Sequence, residues 1–178
     1  MSFNQRKKDI LEKKDKSSIG GWDEKINDLC ESINKSEKYY TTSSCSGRII
    51  VMIDQAKKGP GLFEFVSHDL IEKFPEVDLS LKLKFKQEPP IIHVACEDLE
   101  SAEELLNKFR DSGWKRSGII SLGKNIIVEA LSTEKIEFPL TLDGKVLVSD
   151  EFLEIVLSRA NENLEKGWEK INKVKNSL

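Results

Sequence analysis

Residues 81–86 read Leu-Lys-Leu-Lys-Phe-Lys, a strict alternation of apolar and basic side chains. Successive side chains of a strand point to opposite faces, so Leu81, Leu83 and Phe85 belong to one face and Lys82, Lys84 and Lys86 to a solvent-exposed one. A strand with one dry and one wet face belongs in an antiparallel sheet. Downstream, Pro89-Pro90 interrupts the pattern, and Ile91 to Cys96 reads as a more buried strand. Leu99, Ala102, Leu106 and Phe109 then recur at helical spacing and predict a helix that Gly113 stops. Strands follow at 117–122 and 126–132, joined at Gly123-Lys124-Asn125, and two shorter ones flank Asp143-Gly144. A long helix from about Asp150 carries Phe152, Ile155, Val156, Leu164 and Trp168 on its apolar side.

Upstream, Leu62 to Ser67 reads as a strand behind a turn at Lys57-Lys58-Gly59-Pro60-Gly61. The β-branched run Arg48 to Ile53 is another strand, and Trp22, Ile26, Leu29 and Ile33 predict an amphipathic helix over 22–36. Residues 3–16 form a charged helix with little apolar content, ahead of a break at Ser17 to Gly21, so 1–20 reads as an N-terminal arm free to move. Strands joined by short turns outnumber helical crossovers. The expected fold is therefore α+β: a largely antiparallel mixed sheet with helices packed on it, in a single domain over 1–178. A doubly wound Rossmann fold is excluded, because no strand leads through G-x-G-x-x-G into a helix.

Composition narrows the function classes. No apolar run approaches the ~20 residues that span a bilayer, and no apolar stretch follows the N-terminus, so a cytoplasmic location is expected. Cys30, Cys45 and Cys96 lie far apart without C-x-x-C spacing, which predicts free thiols; with only His68 and His93 beside them, no metal site is expected. A net charge of −3 argues against indiscriminate phosphate binding. The charge is uneven, however: Arg6, Lys7, Lys8, Lys13, Lys14 and Lys16 crowd one end and Lys166, Lys170, Lys173 and Lys175 the other. These lysines either touch an RNA backbone or solvate helix faces shared with Asp9, Glu12, Glu165 and Glu169.

The densest chemical cluster is Thr41-Thr42-Ser43-Ser44-Cys45-Ser46-Gly47-Arg48, where hydroxyls, a glycine and an arginine offer donors and close backbone approach to a phosphate or carboxylate. The plainer alternative is a Ser/Thr-rich turn before a strand. Cys45 is a candidate nucleophile, with packing as the plainer role. His68 falls where a strand ends, a position that presents side chains to ligands. His93 lies inside a strand, where a ligand contact and a structural hydrogen bond are both open. Asp111-Ser112-Gly113-Trp114-Lys115-Arg116-Ser117-Gly118 combines hydroxyls, bases and an aromatic, suited to phosphate contact and base stacking or to a helix cap and a core tryptophan. Ser132-Thr133 with Glu137 forms a weaker third cluster.

At Thr41 to Ile49 the chain resembles the tRNA wybutosine-synthesising protein 3 family. The resemblance extends through Val66-Ser67-His68, Glu88-Pro89 with Ile92-His93-Val94, Asp111-Ser112-Gly113 with Arg116 to Ile119, Leu131-Ser132-Thr133, and Leu147-Val148 into the closing helix. It covers the chain from about residue 22, and the compact form looks like an archaeal member. What it implies is an S-adenosylmethionine-dependent methyltransferase acting at N4 of the 7-(3-amino-3-carboxypropyl)-4-demethylwyosine base at position 37 of tRNA-Phe. On that reading Arg48 and His68 are catalytic, with proton handling assigned to His68. Ser43, Ser44, Cys45, Ser46 and Gly47 bind the cofactor, and His93, Ser112, Arg116, Ser117, Gly118, Ser132 and Thr133 bind the substrate. Lys82, Lys84 and Lys86 would grip the anticodon stem. A non-catalytic module that presents the modified base to another enzyme is the rival reading, and the sequence leaves the oligomeric state open.

Overall fold

The computed structural model describes residues 2–12, 23–55, 59 and 61–178. Lys13, Lys14, Lys16, the break at 17–21, Trp22, Lys57, Lys58 and Pro60 lie outside the described residues, so the expected arm is seen only over 2–12.

In chain order the elements are α1 (Phe3–Leu11), α2 (Glu24–Lys35), β1 (Tyr39–Cys45), β2 (Arg48–Ile53), β3 (Phe63–Ser67), β4 (Leu83–Glu88), β5 (Ile91–Cys96), α3 (Leu99–Asp111), β6 (Arg116–Leu122), β7 (Ile126–Leu131), β8 (Ile136–Pro139), β9 (Thr141–Leu142), β10 (Lys145–Val146) and α4 (Asp150–Lys175). They divide into two compact units, neither contiguous in sequence: Met1–Ser46 with Pro90–Thr133 and Gly167–Leu178, and Gly47–Pro89 with Glu134–Lys166. Every described strand pair is antiparallel, and the architecture is α+β.

The first unit holds a four-stranded sheet in the order β1-β5-β7-β6. Its inner face buries Ile92, Val94, Val128 and Ala130 against Ile26, Leu29 and Ile33 of α2 and Leu105 and Phe109 of α3. Asp98 caps α3 by accepting from Ser101 N at 2.8 Å. Past the helix, Gly113 takes φ +96°, a left-handed conformation that favours glycine. Trp114 follows it into the core, fully buried and edge-on to Phe109 at 5.3 Å between centroids. The outer face carries a smaller apolar group of Tyr40, Ala95 and Ile127, covered by Phe3 and Ile10 of α1.

The second unit holds the sheet β3-β2-β4-β8. The alternation at 81–86 becomes β4, in which Leu83, Phe85 and Gln87 are buried and the residues between them are half-buried. Phe85 stacks on Phe138 at 5.2 Å and meets Phe74 at 5.9 Å, while the buried Gln87 amide bonds Asn163 Nδ2 and the Glu134 carbonyl. Asp143 and Gly144, both at positive φ, close the β9–β10 hairpin as the sequence predicts.

Candidate functional site

In the first unit, register aligns four residues in one row across the sheet: Ser43 on β1, His93 on β5, Glu129 on β7 and Gly118 on β6. Ser43 Oγ lies 2.8 Å from His93 Nδ1, and His93 Nε2 lies 2.6 Å from Glu129 Oε2. A β-bulge brings Ser43 there. Thr41 pairs with Val94 and Ser43 with His93, so the extra residue Thr42 turns Ser43 from the core side to the outer face. Ser43 is exposed, and the His93 and Glu129 side chains keep 28% and 32% of their surface, so the row is open to solvent. At its end, a Cβ added to Gly118 would meet nothing within 4 Å.

Other members of the Ser-rich cluster are turned elsewhere. Ser44, opposite the buried Ile92, sits 3.5 Å from the Cys30 thiol of α2. Ser46 is fully buried: its N–H and hydroxyl both donate to Asp23 Oδ2, and its carbonyl accepts from Trp168 Nε1. Gly47, at φ +95°, stands where the chain passes from one unit to the other. Burial pushes the Cys30 thiol up to about 11, against the lowering effect of its side-chain hydrogen bond with Ser44, and pushes Cys96 up to about 12, which makes both poor nucleophiles. Cys45 is half-buried and occupies the next row along the outer face, in register with Ile91, Leu131 and Arg116.

The second cluster is likewise divided. Ser112 ends α3 and is nearly buried. Ser117 Oγ donates to the Trp114 carbonyl, and its own carbonyl accepts from Arg110 Nη2. Arg116 is exposed at the start of the edge strand β6. Trp114, considered for base stacking, is a core residue; the volume between α3 and the sheet has taken it. In the third cluster Ser132 is buried, its N–H donating to the Pro90 carbonyl and its hydroxyl accepting from Lys170 Nζ, while the adjoining Thr133 closes that segment of the unit.

In the second unit, Arg48 opens β2 opposite Glu88, with Nε 2.8 Å from Glu88 Oε2 and the guanidinium over the Phe63 ring at 5.6 Å. Burial pushes the Glu88 carboxyl up, but Arg48 and Lys86 outweigh it and hold the group below the usual carboxylate range. His68 follows β3, half-buried, in a turn where Ser67 Oγ bonds the Asp69 N–H and carbonyl. The basic face of β4 is not the open surface its alternation suggests. Lys84 and Lys86 are only 22% and 17% exposed, and they pair with Asp54, Glu88 and Glu137. A cavity of about 680 Å³ within this unit, lined by Ile71, Phe74, Leu153, Leu157 and Asn161 among others, holds none of the residues singled out from the sequence.

Glu129 escapes sequence reasoning. A lone carboxylate inside the apolar run Ile126 to Leu131 is its only signal, and its partner is 36 positions away.

An antiparallel α+β chain with a hydrogen-bonded Ser-His-Glu row on an open sheet face, and no dinucleotide turn, belongs to a class outside the doubly wound nucleotide binders. The chain is a member of the family described as methyltransferase TYW3, whose model matches residues 5–178. It is 38% identical, over its whole length and 94% of the relative's, to the Archaeoglobus fulgidus tRNA(Phe) 7-((3-amino-3-carboxypropyl)-4-demethylwyosine(37)-N(4))-methyltransferase. It is 35% identical to the Xenopus laevis tRNA wybutosine-synthesizing protein 3 homolog, covering 99% of this chain and 74% of that one. Among solved structures, the PH1069 protein of Pyrococcus horikoshii superposes with a TM-score of 0.84 at 31% identity, over 99% of this chain and 95% of the other. As a member of that family the chain is an enzyme that transfers methyl groups. Among the described residues, no helix is long and apolar enough to cross a membrane.

Proposed function

We propose that the chain transfers a methyl group from S-adenosylmethionine to N4 of the 7-(3-amino-3-carboxypropyl)-4-demethylwyosine base at position 37 of tRNA-Phe, in the cytoplasm. The observation that carries this reading is the full-length similarity to the Archaeoglobus methyltransferase of that printed name. The donor chemistry of the first unit fits such a methyl donor: an exposed hydroxyl at Ser43 and open volume at Gly118. When bound, the donor supplies a carbon activated by a positive sulfur.

The protein's own part is to bind, align and exclude water. On this reading Ser43, Ser44, Cys45, Ser46 and Gly47 form the cofactor segment. Within it Ser46 acts indirectly, since its hydroxyl and N–H fix the segment to Asp23. Arg48 meets a carboxylate or phosphate, and His68 stands with it as a catalytic residue. His93, Ser112, Arg116, Ser117, Gly118, Ser132 and Thr133 form or support the substrate side, with the anticodon region of the tRNA as partner.

Incubating tRNA-Phe that carries the demethylated base with enzyme and isotope-labelled S-adenosylmethionine, then analysing nucleosides by mass spectrometry, tests this. Label at position 37 is expected, with Arg48→Ala and His68→Ala losing it while retaining wild-type circular dichroism. Absence of label with the wild-type enzyme refutes the activity, and full turnover in both variants refutes their roles.

A further inference from the structure

Resting on the methyl-transfer reading above, we propose that His93, rather than His68, is the proton acceptor of the reaction, with Ser43 as its relay and Glu129 as its positioning carboxylate. Methylating a ring nitrogen that carries hydrogen requires that hydrogen to leave as a proton.

Hydrogen-bond chemistry fixes the direction of the row. At neutral pH a carboxylate can only accept, so the 2.6 Å contact of Glu129 Oε2 with His93 Nε2 places the ring proton on Nε2. Nδ1 then has a lone pair, and at 2.8 Å it accepts the Ser43 hydroxyl hydrogen. The Ser43 oxygen, on an exposed residue, is left with lone pairs directed at whatever occupies the face. The row is thus a one-way path: a proton delivered to Ser43 Oγ is matched by the hydroxyl proton moving to His93 Nδ1. The resulting imidazolium lies against Glu129. In the full step the substrate N–H bond breaks and its electron pair forms the new N–CH₃ bond. The carbon–sulfur bond of the sulfonium donor breaks with its pair remaining on sulfur, and the proton finishes on His93 Nδ1.

Two features separate this from an incidental surface hydrogen bond. β1 departs from regular pairing at Thr42, and without that bulge Ser43 would face the core beside Thr41. Next to Glu129 the row ends in Gly118, where no side chain stands over the face. An exposed polar row of this kind adds little stability. Cys45 and Arg116 stand in the adjoining row, and α1, which carries Arg6, covers the Tyr40 end of the same face. Among the described residues, Ser43 and Glu129 hydrogen-bond the two ring nitrogens.

The test compares His93→Gln, Glu129→Gln, Ser43→Ala and His68→Gln with wild type. Single-turnover methylation of tRNA-Phe carrying the demethylated base is followed from pH 5 to 9, and ¹H–¹⁵N NMR follows the imidazoles of the donor-free proteins. With only two histidines in the chain, each variant assigns the remaining signal. His93→Gln is expected to slow transfer about 100-fold or more and to abolish the acidic limb of the rate profile. Glu129→Gln replaces the acceptor-only partner of Nε2 with an amide that can also donate, so transfer slows and the ¹⁵N shifts show His93 in both neutral tautomers. Ser43→Ala slows transfer with the limb in place.

If His93→Gln keeps the wild-type rate and limb, or if the limb disappears in His68→Gln instead, the inference is overturned while the methyltransferase reading stands. A wild-type enzyme that transfers no methyl overturns both. An unchanged His93 tautomer and an unchanged rate in Glu129→Gln remove the carboxylate from the relay.

Discussion

The two sheets are built alike and finished differently. Each has four antiparallel strands, and each sets a row of polar side chains on the face away from its own core. In the second unit the charges close on themselves. Arg48 and Lys86 bond Glu88, Lys86 and Lys135 also reach Glu137, and Lys82 and Lys84 share Asp54. The row in the first unit has an open end at Ser43. A closed network resists change because each charge has its counter-ion, whereas an open chain of donors and acceptors can pass a proton along. The proton path inferred above lies on the first sheet, and in the second the Glu88 carboxylate engages Arg48 Nε.

If the units have independent cores, damage should show first in the sheet that owns the residue. Trp114 and Phe85 are both fully buried and aromatic-packed. Truncating either to Ala should cost roughly 3–5 kcal/mol, as large-to-small core substitutions do. Native-state hydrogen exchange should then accelerate in β5–β7 for Trp114→Ala and in β2–β4 for Phe85→Ala. Equal acceleration of both sheets by either variant would break the division.

A smaller cost attaches to Gly167, where a Cβ would lie 2.6 Å from Pro90 Cγ and 2.7 Å from Cδ. The proline ring cannot swing away as a flexible side chain would. Gly167→Ala should therefore destabilise by about 1–3 kcal/mol despite alanine's better helix propensity, measured as a lower urea midpoint. A gain in stability would show that α4 can shift at this point.

Several of these features are visible in the sequence for physical reasons. The alternation at 81–86 yields β4 and the apolar spacing of Ile26, Leu29 and Ile33 yields α2, because periodicity is local. Asp143-Gly144 yields its hairpin because the turn demands positive φ. Ser43 and His93 stand out as residue types, yet their contact spans 50 positions and needs the bulge at Thr42, which no local pattern announces. Glu129 gains meaning only from register. The lysines of β4 mislead for the converse reason: alternation places them on one face without revealing that Asp54, Glu88 and Glu137 meet them there. The partition into two units is hidden because both are assembled from separated segments.

The smallest effect expected is electrostatic, and it tests the contrast between the rows most directly. Glu137 is held below the usual carboxylate range chiefly by its bond to Lys135, against a raising effect of burial and with further lowering from Lys86 and Lys84. Lys82 and Lys84 hold Asp54 low in the same sense. A carboxyl with a depressed folded value favours folding at pH above its unfolded value, about 4 for these side chains, and this contribution fades as pH falls through the folded value. Glu137→Gln should thus lower stability by no more than about 1 kcal/mol at pH 7. Its urea midpoint should fall less steeply than wild type below about pH 4.5. Methylation should stay near the wild-type rate, whereas Glu129→Gln, an identical chemical change on the other sheet, should leave stability nearly unaltered and slow the reaction. The comparison fails if the two substitutions exchange these outcomes, for the network of the second sheet would then carry the proton and the row of the first would serve only to hold its strands.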